Sequence, residues 1–279
     1  MMATIKPALP SDVRKVFDLP KYPVFFWGLA PLMKYRSFRW GKATTAHQVA
    51  EPGTRILSLG LRLLFTMGML AVTASLANAQ PTVTIAHNDN KSANPEFKFA
   101  NVATPSRDDA ATKARVLMVD GEADANSAGV EAIIDGALPT APDQPRQNFF
   151  VTAGSGGARL LIDLGRVLDV AQINSYSWHA NSRAPQVYRV WGSDGSDPHF
   201  NAEPKANVDP RSCGWRVIAT VDTRSEDASK DVGQFGVSIA HPNGSLGKFR
   251  YFLFDCYVTE IADNFGNTFY SEIDVVAKK

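Results

Sequence analysis

Residues 159–193, RLLIDLGRVLDVAQINSYSWHANSRAPQVYRVWGS, constrain the fold more than any other stretch of the chain. Three apolar runs follow one another there, at 159–164, 170–178 and 186–193, rich in Val, Ile, Leu, Tyr and Trp. Such residues suit a pleated, half-buried surface, while Gly165-Arg166 and the polar residues 179–185 between the runs carry turn signals. The local reading is an antiparallel meander at the centre of a β domain.

Charge divides the chain in two. The net charge of +1 over 279 residues points to no particular partner. Yet ten Lys and Arg against three acids precede Gln80 (+7), so nineteen of the 29 bases and twenty-five of the 28 acids follow it (−6). The acidic part has no basic stripe of the kind nucleic-acid binding requires.

The junction has a physical reading. Arg55 and Arg62 flank Leu57 to Leu61, the uncharged run LLFTMGMLAVTASL occupies 63–76, and Ala77-Asn78-Ala79 follows. A basic region, an apolar region and small residues make a secretory signal over 54–79, with cleavage expected between Ala79 and Gln80. The run is short for a bilayer span, which takes about 20 residues, although an uncleaved anchor is the alternative. No Cys follows it to carry a lipid. The expected location is secreted, periplasmic or cell-surface, with no stable membrane span after cleavage. Residues 1–53, whose apolar Phe25-Phe26-Trp27 is interrupted by Pro20, Pro23 and Pro31, form an unassigned N-terminal extension. Cys213 and Cys256 both lie in the exported part. Either they form a disulfide in an oxidising compartment or they are two separate buried thiols.

Beyond the signal, 80–94 is polar and reads as a flexible mature terminus. Alternation starts at 97–102, and Ser106 followed by DDAATKA predicts a short capped helix. Strands are expected at 116–119, 148–152, in the three runs of the meander, and at 215–223, 232–240, 249–259 and 269–277; 130–134 is a helical turn or tight strand. The strand at 249–259 should be the longest. Many short strands with turns between them and little helix indicate one antiparallel sandwich or jelly roll.

Several segments, in this order, carry a family likeness: Ile134-Asp135-Gly136, Leu161-Ile162-Asp163-Leu164-Gly165, Val170-Ala171-Gln172-Ile173, Pro185 to Ser193 with Asp194-Gly195 after it, Gly214-Trp215, Phe249-Arg250-Tyr251-Phe252 and Ser271-Glu272-Ile273-Asp274-Val275. They resemble the discoidin, or coagulation factor type C, domains of the galactose-binding-like superfamily, over about 95–277. The resemblance implies an all-β, antiparallel jelly-roll β-sandwich with one or two short helices. It also implies ligand binding through loops at one end and no catalysis. Two features depart from the family pattern: no Cys lies near either end of the domain, and the loop at 197–212 is long.

The resemblance also implies a structural Ca²⁺, held by the carboxylates of Asp135 and Glu272, the hydroxyl of Thr140 and the carbonyls of Ala132, Ala137 and Ser271. Such an oxygen-rich set suits a hard ion. Without the ion, Asp135 would cap a turn and Glu272 would be a surface acid. A second constellation, Trp178, His179, Asn181 and Arg183, joins an aromatic face to planar polar groups, as sugar recognition requires; Phe265 in the last loop could approach it. The competing reading makes Trp178 core, pairs Arg183 with an acid such as Asp194 and leaves His179 merely exposed.

Catalytic signatures are missing: no HExxH, P-loop, Rossmann fingerprint or G-x-S-x-G occurs. Asp194, Asp197 and His199 read as a solvated turn. The expectation is a non-catalytic binding module for a carbohydrate or other cell-surface ligand. The alternative is a structural or adhesive module that docks a protein or lipid and has no sugar site.

Overall fold

The computed structural model describes residues 80–259 and 267–279. The expected signal, the extension before it and Phe265 lie outside the described residues. Eight strands follow in order: β1 (Thr82–Asn88), β2 (Arg115–Asp120), β3 (Gly157–His179), β4 (Val187–Ser193), β5 (Arg216–Asp222), β6 (Gly233–Ala240), β7 (Gly247–Tyr257) and β8 (Tyr270–Ala277). Among the described residues the only helices are short 3₁₀ turns, at Val130–Ile133, Pro145–Gln147, Pro210–Cys213 and Ala228–Lys230. The chain is an antiparallel β-sandwich of jelly-roll type.

β3 builds the sandwich by belonging to both layers. Its first half, 157–163, lies between β2 and β7, and β7 leads on to β4 and β5; its second half, 170–178, lies between β6 and β8, with β1 outside β6. The change of layer falls at 164–167, where the ladder to β7 skips from Asp163 to Leu168. Gly165 makes the corner possible with φ +75°, a conformation that side chains with a Cβ rarely adopt, and its N–H donates to Asp163 Oδ1 at 2.8 Å.

The expected meander is therefore corrected. The two halves of β3 do not pair with each other, and β7 stands between β3 and β4. Partners from distant sequence occupy both edges of each half, so the Gly165 turn folds a strand over the core instead of closing a hairpin. β3, at 23 residues, is also the longest strand, in place of the run at 249–259.

The sides of β3 that face inward meet those of β7 and β4 from one layer and of β6 and β8 from the other. Leu160, Ile162, Phe252, Phe254, Tyr188 and Val190 pack on Ile173, Val237, Ile239, Ile273 and Val275. Each such buried side chain contributes roughly 1.5–3 kcal/mol over the exposed state. The outer faces are covered too. The long loop after β4 brings Phe200, Cys213 and Trp215 over Leu161, Trp191 and Leu253. The segment before β2 brings Phe97 and Val102 over Tyr176 and Trp178.

Four further expectations change; to begin with, residues 148–152 form no strand, only the isolated bridges Val151↔Ala123 and Phe149↔Tyr270. Residues 82–88 are not a flexible terminus but pair with β6 along their whole length, from Thr82↔Ala240 to Asn88↔Gln234. Residues 97–102 form no strand; they are the cover just described, with Phe97 fully buried at φ +49°. The helix after Ser106 does not form: Asp109 Oδ1 accepts from Ala111 N and Val275 N, and Ala110 N donates to Val275 O. These side-chain and tertiary bonds replace the helical ladder. The cysteines are two buried thiols in different clusters, Cys213 outside and Cys256 in the central core. Burial pushes the Cys256 thiol up to about 12.

Candidate functional site

The loop from β3 to β4 and the segment entering β8 meet at one end of the sandwich. Phe269 N donates to Arg183 O at 2.9 Å, Thr259 Oγ1 to Ser182 O at 3.1 Å and Thr268 Oγ1 to Pro185 O at 2.5 Å. On this frame the rings of Phe150 and Phe269 stack at 4.1 Å. The Arg183 guanidinium lies over both, 5.2 Å from the Phe269 centroid and 5.9 Å from that of Phe150. Such contacts restrain a long side chain and hold its charge at a fixed place.

His179 completes the group. Its ring meets Phe269 edge-on at 4.6 Å, its Nδ1 accepts from Asn181 N at 3.0 Å and its Nε2 lies 3.9 Å from Asp143 Oδ1. Burial, aided by the Arg183 charge, holds the imidazole below its ordinary pKa. With Nδ1 accepting, the neutral ring carries its proton on Nε2 and can donate there. Asn181 and Asp143 are exposed, and Arg183 is half-buried.

The sequence-derived set is thus brought together in part. His179, Asn181 and Arg183 share this end of the molecule. Trp178 does not join them: only 4% exposed, it packs edge-on against Phe97 at 5.6 Å beneath the outer cover. Successive residues of a strand point to opposite faces, so His179 and Trp178 diverge. Trp178 leaves the ligand set for that reason. Phe150, Phe269 and Asp143 were missed in the sequence. The doublet Phe149-Phe150 was a usable signal, since an extended chain that buries one ring in the core must turn its neighbour elsewhere. Neither this group nor Trp178 lines a cavity of ≈ 370 Å³ at the opposite end, between Arg216, His241 and Phe249.

The second set lies along β8. Asp135 is exposed in a turn whose Gly136 has φ +69°, and its Oδ1 accepts from Ala137 N at 2.7 Å. Glu272 is fully buried; its Oε2 accepts from Gly136 N at 2.9 Å, and its Oε1 has no hydrogen-bond partner. This corrects the surface-acid alternative for Glu272. Burial, with Asp274, Asp135 and Asp109 nearby, raises the Glu272 carboxyl to about 9. Burial and Asp109 likewise raise Asp274 to about 7. The Thr140 hydroxyl is engaged with Gln144, at 3.2 Å from its Nε2. Ala132 is buried and Ala137 exposed, and the Ser271 hydroxyl donates to Asn148 Oδ1 at 2.7 Å. Among the described residues no three His, Cys, Asp or Glu side chains converge as metal ligands, so a cation here would draw on carbonyl and hydroxyl oxygens as well. An orphaned, buried carboxylate oxygen beside a second acid suits such a cation.

No protein-family model matches the chain, and no curated protein does. Solved structures do. The lectin domain of lectinolysin complexed with Lewis B antigen is 12% identical, over 62% of this chain and 98% of its own, with a TM-score of 0.39. A fucose-binding module of Streptococcus pneumoniae, SpX-3, is 12% identical, over 62% and 99%, with a TM-score of 0.39. CpGH89CBM32-6, produced by Clostridium perfringens, is 16% identical, over 61% and 100%, with a TM-score of 0.36. These are the proteins to which the chain is similar; its own fold assignment rests on the strand order and on the sheet change in β3.

Proposed function

We propose that the chain is an exported, non-catalytic module that binds a carbohydrate at the loop end through His179, Asn181 and Arg183. The observation that carries this reading is the Arg183 guanidinium held across Phe150 and Phe269 beside the His179 ring. A restrained planar donor loses little freedom on binding, and it suits the paired hydroxyls of a sugar ring. The exposed Asn181 adds an amide. Phe265 is assigned the apolar face of the sugar. A lipid-docking tip fits less well, because Asn181 and Asp143 give this end polar surface. The test is glycan-array binding followed by titration of the best ligand. Arg183→Ala should weaken binding on the order of tenfold or more. Unchanged affinity in both Arg183→Ala and Asn181→Ala would remove the sugar site from this end.

The same reading includes a structural Ca²⁺ held by Asp135 and Glu272, with Thr140 and the carbonyls of Ala132, Ala137 and Ser271. It is supported by the buried, unpartnered Glu272 Oε1. Without a cation, stability tied to Glu272 is full below 4.5 and is lost as pH rises toward about 9, because the folded state keeps a proton that the unfolded state gives up. A dication replaces that proton. Melting curves should therefore fall with pH in chelator and stay flat in excess Ca²⁺, and Glu272→Gln should abolish the difference. Identical curves with and without Ca²⁺ would sink the metal.

A further inference from the structure

The cavity of ≈ 370 Å³ opens at the far end of the sandwich from His179 and Arg183. It is formed where β5 and β7 begin, where β6 ends and where the chain enters β1 at Gln80-Pro81. Its size falls in the range of small-molecule sites, roughly 300–1,000 Å³. Its lining offers as donors the Arg216 guanidinium and the side-chain amides of Gln80 and Asn243, with His241 beside them and no Asp or Glu among the lining residues.

Arg216 gives the cavity its character. Its guanidinium lies 4.4 Å from the centroid of Phe249, and its Nη2 makes one long contact, 3.4 Å, with Leu246 O. Among the described residues it forms no ion pair, whereas Arg159, Arg211, Arg224 and Arg250 each have a carboxylate within 4.0 Å. Two acids stand in the neighbourhood without pairing with Arg216; hydrogen bonds from Ser196, with the Arg216 charge behind them, hold the Asp194 carboxyl below its ordinary value. Asp169 accepts from the Ser245 hydroxyl, and Asp194 accepts from Ser196 N at 2.9 Å and Ser196 Oγ at 2.7 Å. His241 Nδ1 accepts from Asn243 N at 3.2 Å. Asn243 Oδ1 accepts from Ser245 N at 2.9 Å, which leaves the amide NH₂ as a donor.

We propose that this cavity is a second binding site, for a small polyhydroxylated carboxylate of the size of a single sugar acid. A planar guanidinium on an aromatic shelf matches a planar carboxylate through two parallel hydrogen bonds. The amides suit hydroxyls on the same molecule. A phosphate dianion fits less well, since the lining supplies one guanidinium and no helix N-terminus. The inference stands apart from the sugar reading of the loop end, because the two sites share no residue.

The full chain should be titrated with galacturonate, galactose and inorganic phosphate while its amide resonances are followed. Galacturonate should shift the amides of Arg216, Leu246 and Gly247 and leave those of Asn181 and Arg183 in place. Galactose and phosphate should bind more weakly. Arg216→Gln should weaken galacturonate about tenfold or more, and Arg183→Ala should leave it unchanged. Galacturonate binding no tighter than galactose, shifts confined to the loop end, or affinity retained in Arg216→Gln would each overturn the proposal. Loss of neutral-glycan binding in Arg183→Ala is read separately and tests only the loop end.

Discussion

An arginine lies across phenylalanine at each end of the sandwich, and the two ends differ in what surrounds it. At the loop end, Arg183 covers two rings already stacked on each other, Phe150 at 4% and Phe269 at 1% exposure. The strap that carries it is tied through Arg183 O and Ser182 O. At the other end, Arg216 covers the single ring of Phe249, reaches Leu246 O at the close of the 241–246 turn, and lines a cavity together with that turn and the entry into β1. The same pair of residue types therefore sits on a stacked ring pair beneath a tied strap in one place and beside a hollow in the other. Residue types set which contacts a ligand could make, whereas concavity depends on how far the surrounding turns stand apart.

That comparison requires both ends to hang on one sandwich, and the largest expected effect tests it. Arg159, 5% exposed, forks onto Asp255 at 2.7 and 3.1 Å and donates through Nη1 to the carbonyls of Pro204, Lys205 and Val208. Arg159→Ala would leave Asp255, half-buried, with Trp191 Nε1 as its remaining side-chain donor and would strip a donor from three carbonyls, a loss of about 3 kcal/mol. For a domain of this size that lowers the melting temperature on the order of 10 °C. Binding at both ends should disappear in the same thermal transition. If one end keeps its ligand after the other has lost it, the ends belong to separate folding units and the comparison breaks.

A smaller effect separates the ends. Gly247 sits at φ +125°, and a Cβ there would come within 2.1 Å of Arg216 Nη2. Gly247→Ala displaces the guanidinium from Phe249 and strains the backbone by about 1–3 kcal/mol. Carboxylate binding at the cavity should be lost while neutral-glycan binding at the loop end stays intact, as paired titrations would show. Equal losses at both ends would mean that the variant acts through global stability, and the local account of the cavity would fail.

The framework was legible because its evidence is local. β4, β5, β6 and β8 announce themselves by apolar runs bounded by turn residues, and the structure begins and ends them within a residue or two of the expected places. What escaped depended on distant partners. Thr82-Val83-Thr84-Ile85 is β-branched, but only the free edge of β6 makes it a strand. Asp109 would suit the first turn of a helix, but β8 offers it Val275 N instead. At the candidate sites, His179 and Arg183 could be singled out by type, and Trp178 was grouped with them by adjacency alone. The alternation of a strand sends it to the opposite face, a fact that the sequence contained and that the aromatic-loop reading overrode. Arg216 and His241 gave no signal, since they are 25 residues apart and come to one cavity only when the fold gathers the starts of β5 and β7 and the end of β6.

The smallest expected effect concerns the tightness of the loop end. Burial lowers the His179 pKa, and the Arg183 charge lowers it further. A histidine depressed in this way binds fewer protons folded than unfolded, so its linked stability is present above 6.5 and is lost as pH falls through the lower folded value. Glycan binding at the loop end should accordingly be flat above pH 6.5. The imidazole resonances of His179 should titrate with a midpoint below 6.5, and Arg183→Gln, which removes the charge and keeps a planar amide, should move that midpoint upward. A midpoint unmoved by Arg183→Gln would mean that the guanidinium over Phe269 is too well screened by solvent to act on the imidazole. The contrast between the two ends would then rest on the stacked ring pair and the cavity alone, with no electrostatic part.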